Sequence, residues 1–172
     1  VYDKISFMIE TIISSLAIRN HRFNPAAIER DLFDSFGSQR YVHLAFIVSS
    51  KTNELLSYSC NCKDGLLPYK RSLHAEDQAL SILINKLVKK KMEFKNIRSG
   101  INVISLRITR NNEIKLALPC MRCYKRMMRN KSLINSVLWS DDDGNIISYK
   151  LTEMDIEKLK IRDSSGVRNR YQ

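Results

Sequence analysis

Apolar residues recur at helical spacing at the start of the chain, at Ile5, Ile9, Ile12, Ile13 and Leu16, and predict a helix over Asp3 to Arg19. A second helix follows: Asn24 caps it, Pro25 takes its first position, Ile28, Leu32, Phe33 and Phe36 form an apolar stripe, and Gly37 ends it. The pattern then becomes extended. Tyr41 to Ser50 and Leu55 to Asn61 are β-type runs joined by Lys51-Thr52-Asn53-Glu54, an antiparallel hairpin. A helix over Ala75 to Lys91 places Ala79, Ile82, Leu83 and Leu87 inward and Lys86 and Lys89 to Lys91 outward. Asn102 to Thr109 reads as a buried strand, in which Val103, Ser105 and Arg107 alternate with Ile104, Leu106 and Ile108. After the turn Arg110-Asn111-Asn112-Glu113, Ile114 to Leu118 returns as a short extended run, and a helix begins near Cys120. Ser136 to Ser140 and Asn145 to Leu151 form a second hairpin around Asp141-Asp142-Asp143-Gly144. Thr152 with Asp155 opens a short final helix, and a loose polar tail follows.

The order ββα, β, α, ββ, α predicts a mixed α/β sheet, because strands that are not hairpin neighbours need a helical crossover. The expected division is an N-terminal helical extension packed on the core (1–38), a central domain (39–162) and a flexible tail (163–172). The 172 residues suit one ordinary domain with a single core. With 5 Gly and 3 Pro among them, a low-complexity or collagen-like chain is excluded. No apolar run approaches a membrane span, and Ile5 to Ile18, carrying Glu10 and two serines, reads as an amphipathic helix rather than a signal peptide.

Charge changes the picture. The formal net charge is +11, and between Lys86 and Lys131 fourteen basic residues face only Glu93 and Glu113, so that segment carries all of the excess. Such concentration suits a phosphate backbone, and nucleic acid is the expected partner. The four cysteines fall in two close pairs, Cys60/Cys62 and Cys120/Cys123. Without a secretory signal, this spacing favours a metal in a reducing, intracellular compartment over a disulfide framework.

Two motifs carry the chemistry: His74-Ala75-Glu76 and Pro119-Cys120-Met121-Arg122-Cys123, each opening a predicted helix. One imidazole and two thiolates give Zn²⁺ three protein ligands and an open position, the pattern of a catalytic site. Zinc lowers the pKa of water at that position, and Glu76, two residues from His74, can reach the water without ligating the metal. The positive end of a helix dipole favours thiolates at Cys120 and Cys123. A closed structural site would need a fourth ligand, which Cys60 or Cys62 could supply.

His-x-Glu followed by Pro-Cys-x-x-Cys is the zinc deaminase signature. The chain resembles the cytidine deaminase-like superfamily over Tyr41 to Leu151, where the element order β-β-α-β-α-β-β also agrees. The resemblance implies an α/β/α sandwich with a mixed five-stranded sheet, helices on both faces and an antiparallel C-terminal hairpin. That hairpin is similar to the branch of cytidine and toxin-type deaminases, and differs from the tRNA adenosine and APOBEC-like branch. The implied activity is that of a hydrolase acting on the C–N bond of a cyclic amidine, with Glu76 catalytic, His74, Cys120 and Cys123 on zinc, and Asn61 on the sugar. The Asn61 to His74 offset of 13 is longer than usual in nucleoside deaminases, and Lys63 stands where a Glu commonly follows the Asn.

Ala75 and Pro119, neighbours of the metal ligands, are assigned to substrate binding, and Lys125, Arg126 and Arg129 to flanking phosphates. Tyr69 and Tyr124 are packing residues that could stack on a base, Trp139 belongs to the core, and His43 is a sheet histidine. The expected function is deamination of cytosine to uracil in a polynucleotide, single-stranded DNA or RNA. The alternatives are deamination of a free nucleoside or nucleotide, and a zinc-containing nucleic-acid-binding module without turnover. A homo-oligomer is compatible with any of these.

Overall fold

The computed structural model describes residues 14, 41–63, 72–89, 92–93, 97–109, 111 and 113–163, with the backbone alone at 62, 63, 72 and 73. The expected helices over Asp3 to Arg19 and Asn24 to Gly37, Tyr69 and most of the tail lie outside these residues. Among the described residues, no helix is long and apolar enough to cross a membrane.

The first hairpin pairs β1 (Tyr41–Ser49) with β2 (Leu55–Cys60). Its turn closes through Asn53, whose left-handed φ of 54° an Asn tolerates, and whose N–H donates to Ser49 O at 2.9 Å. Two-residue strands β3 (Cys62–Lys63) and β4 (Ser72–Leu73) form a separate small ladder, then α1 (Ala75–Val88) begins. The central strand β5 (Ile101–Thr109) is antiparallel to β1. It also pairs with the short β6 (Ile114–Lys115), and after α2 (Met121–Arg129) runs parallel to β7 (Ile134–Ser140). The edge strand β8 (Ile146–Lys150) returns antiparallel, as the second hairpin requires. Asp141 shapes that turn: its Oδ1 accepts from the N–H of Asp143 and Asn145 at 2.9 and 2.8 Å, and Gly144 takes φ +86°.

The sheet has six strands in the order β2-β1-β5-β7-β8, with β6 on β5, and not five. The extra strand is the start of the run read as Ile114 to Leu118, which leaves the sheet after Lys115 to carry the chain toward Cys120. The final element is a 3-10 turn, Leu151–Glu153, followed by hydrogen-bonded turns, and not an α-helix. The Asp155 carboxylate caps the N–H of Glu157 and Lys158, and the left-handed Lys160 stops propagation.

Strand alternation divides the core in two. Ala45, Ile47, Ile101, Val103, Val137 and Trp139 face α1 and α2, while Val42, Leu44, Phe46, Ile104, Leu106 and Ile108 form a cluster on the opposite face. Burial on both sides explains why β1 and β5 read as nearly continuous apolar runs. Both described helices bury their residues in the first cluster: Ala75, Ala79, Leu80 and Leu83 from α1, and Cys123, Tyr124 and Met127 from α2. Trp139 stacks on Tyr149 there, at a centroid distance of 5.4 Å. Ile82, expected inward, is 38% exposed, and Leu80 takes its place. Lys86 is not purely outward, because its Nζ donates to Leu56 O at 2.7 Å and ties α1 to β2.

Core position sets the cost of truncation. Phe46→Ala, at a fully buried site, is expected to cost about 3–5 kcal/mol in urea denaturation, whereas Ile82→Ala is expected to cost below about 1 kcal/mol. Equal losses at the two positions would contradict the assigned core.

Candidate functional site

Both motifs fall at helix starts on the same face of the sheet. His74 is the N-cap of α1 and Cys120 the N-cap of α2, each in extended conformation without a side-chain capping bond, so both side chains are released toward the space between the helices. His74 Nδ1 lies 3.2 Å from Cys120 Sγ and 3.2 Å from Cys123 Sγ. The three donor atoms all lie within 4.8 Å of one another. Tetrahedral zinc with bonds of about 2.0–2.3 Å separates its ligand atoms by roughly 3.5 Å, so this donor set fits the ion in both geometry and chemistry. Among the described residues, no fourth His, Cys, Asp or Glu joins the group. Cys60 stands outside it, and the Cys62 side chain is not described.

The thiols are electrostatically unequal. A hydrogen bond from Cys123 and the proximity of His74 hold Cys120 down to about 4, whereas sharing that proton and burial push Cys123 far up. The pair therefore gives up one proton readily and holds the second. The hydrogen bond with Cys120 also holds His74 above its ordinary value, against the effect of burial.

Glu76 is 5% exposed, and burial raises its carboxyl above the usual carboxylate range. Ser105 Oγ donates to Glu76 Oε1 at 3.1 Å from the floor of the sheet, and Cys123 Sγ donates to Glu76 Oε2 at 3.6 Å. The carboxyl thus sits beside the His74, Cys120 and Cys123 donor set, with one oxygen anchored. Ser105 was not singled out in the sequence, although it is the small polar residue on the buried face of β5 and is fully buried.

The next carboxylate on α1 turns the other way. Asp77, 4% exposed, meets Arg122 Nε at 3.2 Å and Arg126 Nε at 3.8 Å on α2. A terminal nitrogen of Arg126 also donates to Ser81 Oγ at 2.6 Å. Arg126, assigned from the sequence to flanking phosphate, also ties the two helices together. Lys125 and Arg129 are exposed, and with Arg122, Arg126 and Asp77 they line a cavity of about 340 Å³. Ala75 and Pro119 are both buried, and Tyr124 packs in the core.

Asn61 follows β2 and is joined to β1. Its N–H donates to His43 O at 2.9 Å, and its Oδ1 accepts from His43 N–H at 2.7 Å. His43 lies close enough to His74 and Cys120 to feel their charge. Burial first and Arg107 second lower it to about 4, so its ring is neutral at neutral pH.

Metal uptake should report this proton distribution. With Cys120 already a thiolate at pH 7, zinc binding is expected to release about one to two protons, from Cys123 and part of His74, and affinity should fall as pH is lowered. Calorimetry in buffers of different ionisation enthalpy measures the release, and a value of zero would contradict the site. His43 makes a separate prediction. Unfolded histidine takes up a proton near 6.5 and the folded one only near 4, so stability should decline as pH falls through that window. His43→Gln should remove about 2 kcal/mol of that decline, read as the difference between urea melts at pH 7 and pH 4.5.

No family model matches the sequence, and no curated protein matches it. In structure the chain is similar to the cytidine deaminase from Burkholderia pseudomallei, known from a 1.6 Å crystal structure. The identity is 14% and the TM-score 0.44, over 76% of this chain and 95% of that one. The element order found, with the His-x-Glu and Pro-Cys-x-x-Cys motifs at the starts of successive helices over a mixed sheet, is the order read from the sequence.

Proposed function

We propose that the protein is a zinc-dependent hydrolytic deaminase of a nucleobase, acting on cytosine within a polynucleotide. The observation that carries this reading is the convergence of His74, Cys120 and Cys123 beside the buried Glu76 carboxyl. His74, Cys120 and Cys123 would hold zinc, which would supply Lewis acidity toward water.

The chain's own residues handle the protons. Glu76, anchored by Ser105, accepts a proton from the attacking water and delivers it to N3 of the ring as oxygen bonds to C4. A second proton passes through the same carboxyl to the exocyclic nitrogen, the C4–N bond breaks, and ammonia leaves with uracil as product. A raised carboxyl pKa suits this role, because it shortens the free-energy gap between the two protonation states near neutral pH. Among the described residues no fourth ligand completes the His74, Cys120 and Cys123 set, which favours turnover over a closed structural site.

The basic excess between Lys86 and Lys131 supports a polyanionic substrate, and exposed Lys125 and Arg129 are its candidate phosphate contacts. The test incubates zinc-loaded protein and Glu76→Gln with single-stranded DNA, duplex DNA, RNA, cytidine and adenosine, and reads base conversion by mass spectrometry. Uracil is expected from single strands, with a loss of about 10²–10⁴-fold in the variant while one zinc per chain is retained. Strand turnover should fall steeply with salt. No conversion of any substrate by the zinc-loaded protein would overturn the reading.

A further inference from the structure

Strand register places a polar row across the sheet, with His43 close to His74 and Cys120. Asn61 pairs with His43 on β1, His43 stands directly opposite Arg107 on β5, and Arg107 stands opposite Lys115 on β6. Directly opposed residues project to one face. That face is the one bearing the site, because Ser105, two residues before Arg107, bonds Glu76, and Ala45, two after His43, lies in the core beneath α1. One same-face step along β5 is about 7 Å, so Arg107 lies that far past Ser105 toward the end of the strand.

Arg107 is held and unspent. Its guanidinium carbon stacks 3.8 Å over the Tyr41 ring, which fixes the plane of the fork. Tyr41 in turn meets the His43 ring edge-on at 5.4 Å. Among the described residues no carboxylate pairs with Arg107, and its buried Nε has no hydrogen-bond partner. Arg107 is half-buried, and leaving its buried Nε without an acceptor is costly unless an anion completes it. Its planar fork of donors matches a phosphate, and Lys115 at the end of the row, which meets Glu113 Oε2 at 3.4 Å on the surface, is a second cation on the same face.

From these placements we infer that Arg107 is a specificity-determining residue that takes the phosphate attached to the target nucleoside, with the sugar lying along the row from Asn61. The protein therefore discriminates a nucleotide unit from a bare nucleoside. The inference rests on the deaminase reading, and the same phosphate could belong to a free nucleotide or to a strand.

The experiment measures binding in the zinc-loaded Glu76→Gln background, which prevents turnover. The ligands are cytidine, 5′-CMP, 3′-CMP and an octadeoxynucleotide with one cytosine, each with and without Arg107→Ala or Arg107→Lys. A phosphorylated ligand should bind about tenfold to hundredfold tighter than cytidine. Arg107→Ala should abolish that increment while leaving cytidine affinity within about twofold, a control for folding that a merely structural role would not pass. Arg107→Lys should restore part of it, as a point charge without the fork. An increment in either CMP assigns the phosphate to a free nucleotide, and one in the octamer alone assigns it to the strand. Equal losses for cytidine and the phosphorylated ligands, or no increment in the parent protein, would overturn the assignment while sparing the deaminase reading. Failure of all four ligands to bind would remove both.

Discussion

Two adjacent carboxylates in the first turn of α1 hold the site together. Neighbouring residues on a helix point about a quarter-turn apart, so Glu76 and Asp77 cannot serve the same partner. Glu76 turns down to Ser105 on β5 and toward the cysteines, and Asp77 turns across to Arg122 and Arg126 on α2. One carboxylate fixes the helix on the sheet and the other fixes the two helices to each other. The spacing between His74 and the two cysteines follows from both. Negative charge at a helix N-terminus is favoured by the dipole, which offsets part of the cost of burying two acids one after the other.

The sheet supplies a gradient along its central strand. On the face toward the helices, β5 runs from Ile101 and Val103, wholly apolar and buried, to Ser105, which touches Glu76, and then to Arg107. Packing passes into proton handling and then into charge within four same-face positions. This arrangement lets a rigid core position groups that would be unstable inside it. The chain ends of the strands meet at the same place, which explains why Tyr41 and Asn61, distant in sequence from Arg107, border it.

The motifs were legible because metal and proton chemistry demands particular residue types at short spacing. His74, Glu76, Cys120 and Cys123 are recognisable one by one, and the two hairpins are announced by Asn53 and by Asp141 with Gly144. Long-range partners were not legible. Ser105 and Asp77 look ordinary in the sequence, and no short-range pattern records that Arg126 meets Ser81 and Asp77. Ile82 fits the apolar stripe of α1 as well as Leu80 does, and the rotation of the helix on β1 and β2 decides between them.

Local chemistry and period thus determined the element types, the two motifs and the antiparallel C-terminal hairpin, because each depends on residues within a few positions. The tertiary structure alone decided the sixth strand, the clamp between the helices and the polar row from Asn61 to Lys115. Those features arise where strand register brings together residues dozens of positions apart, and no short-range pattern records a register.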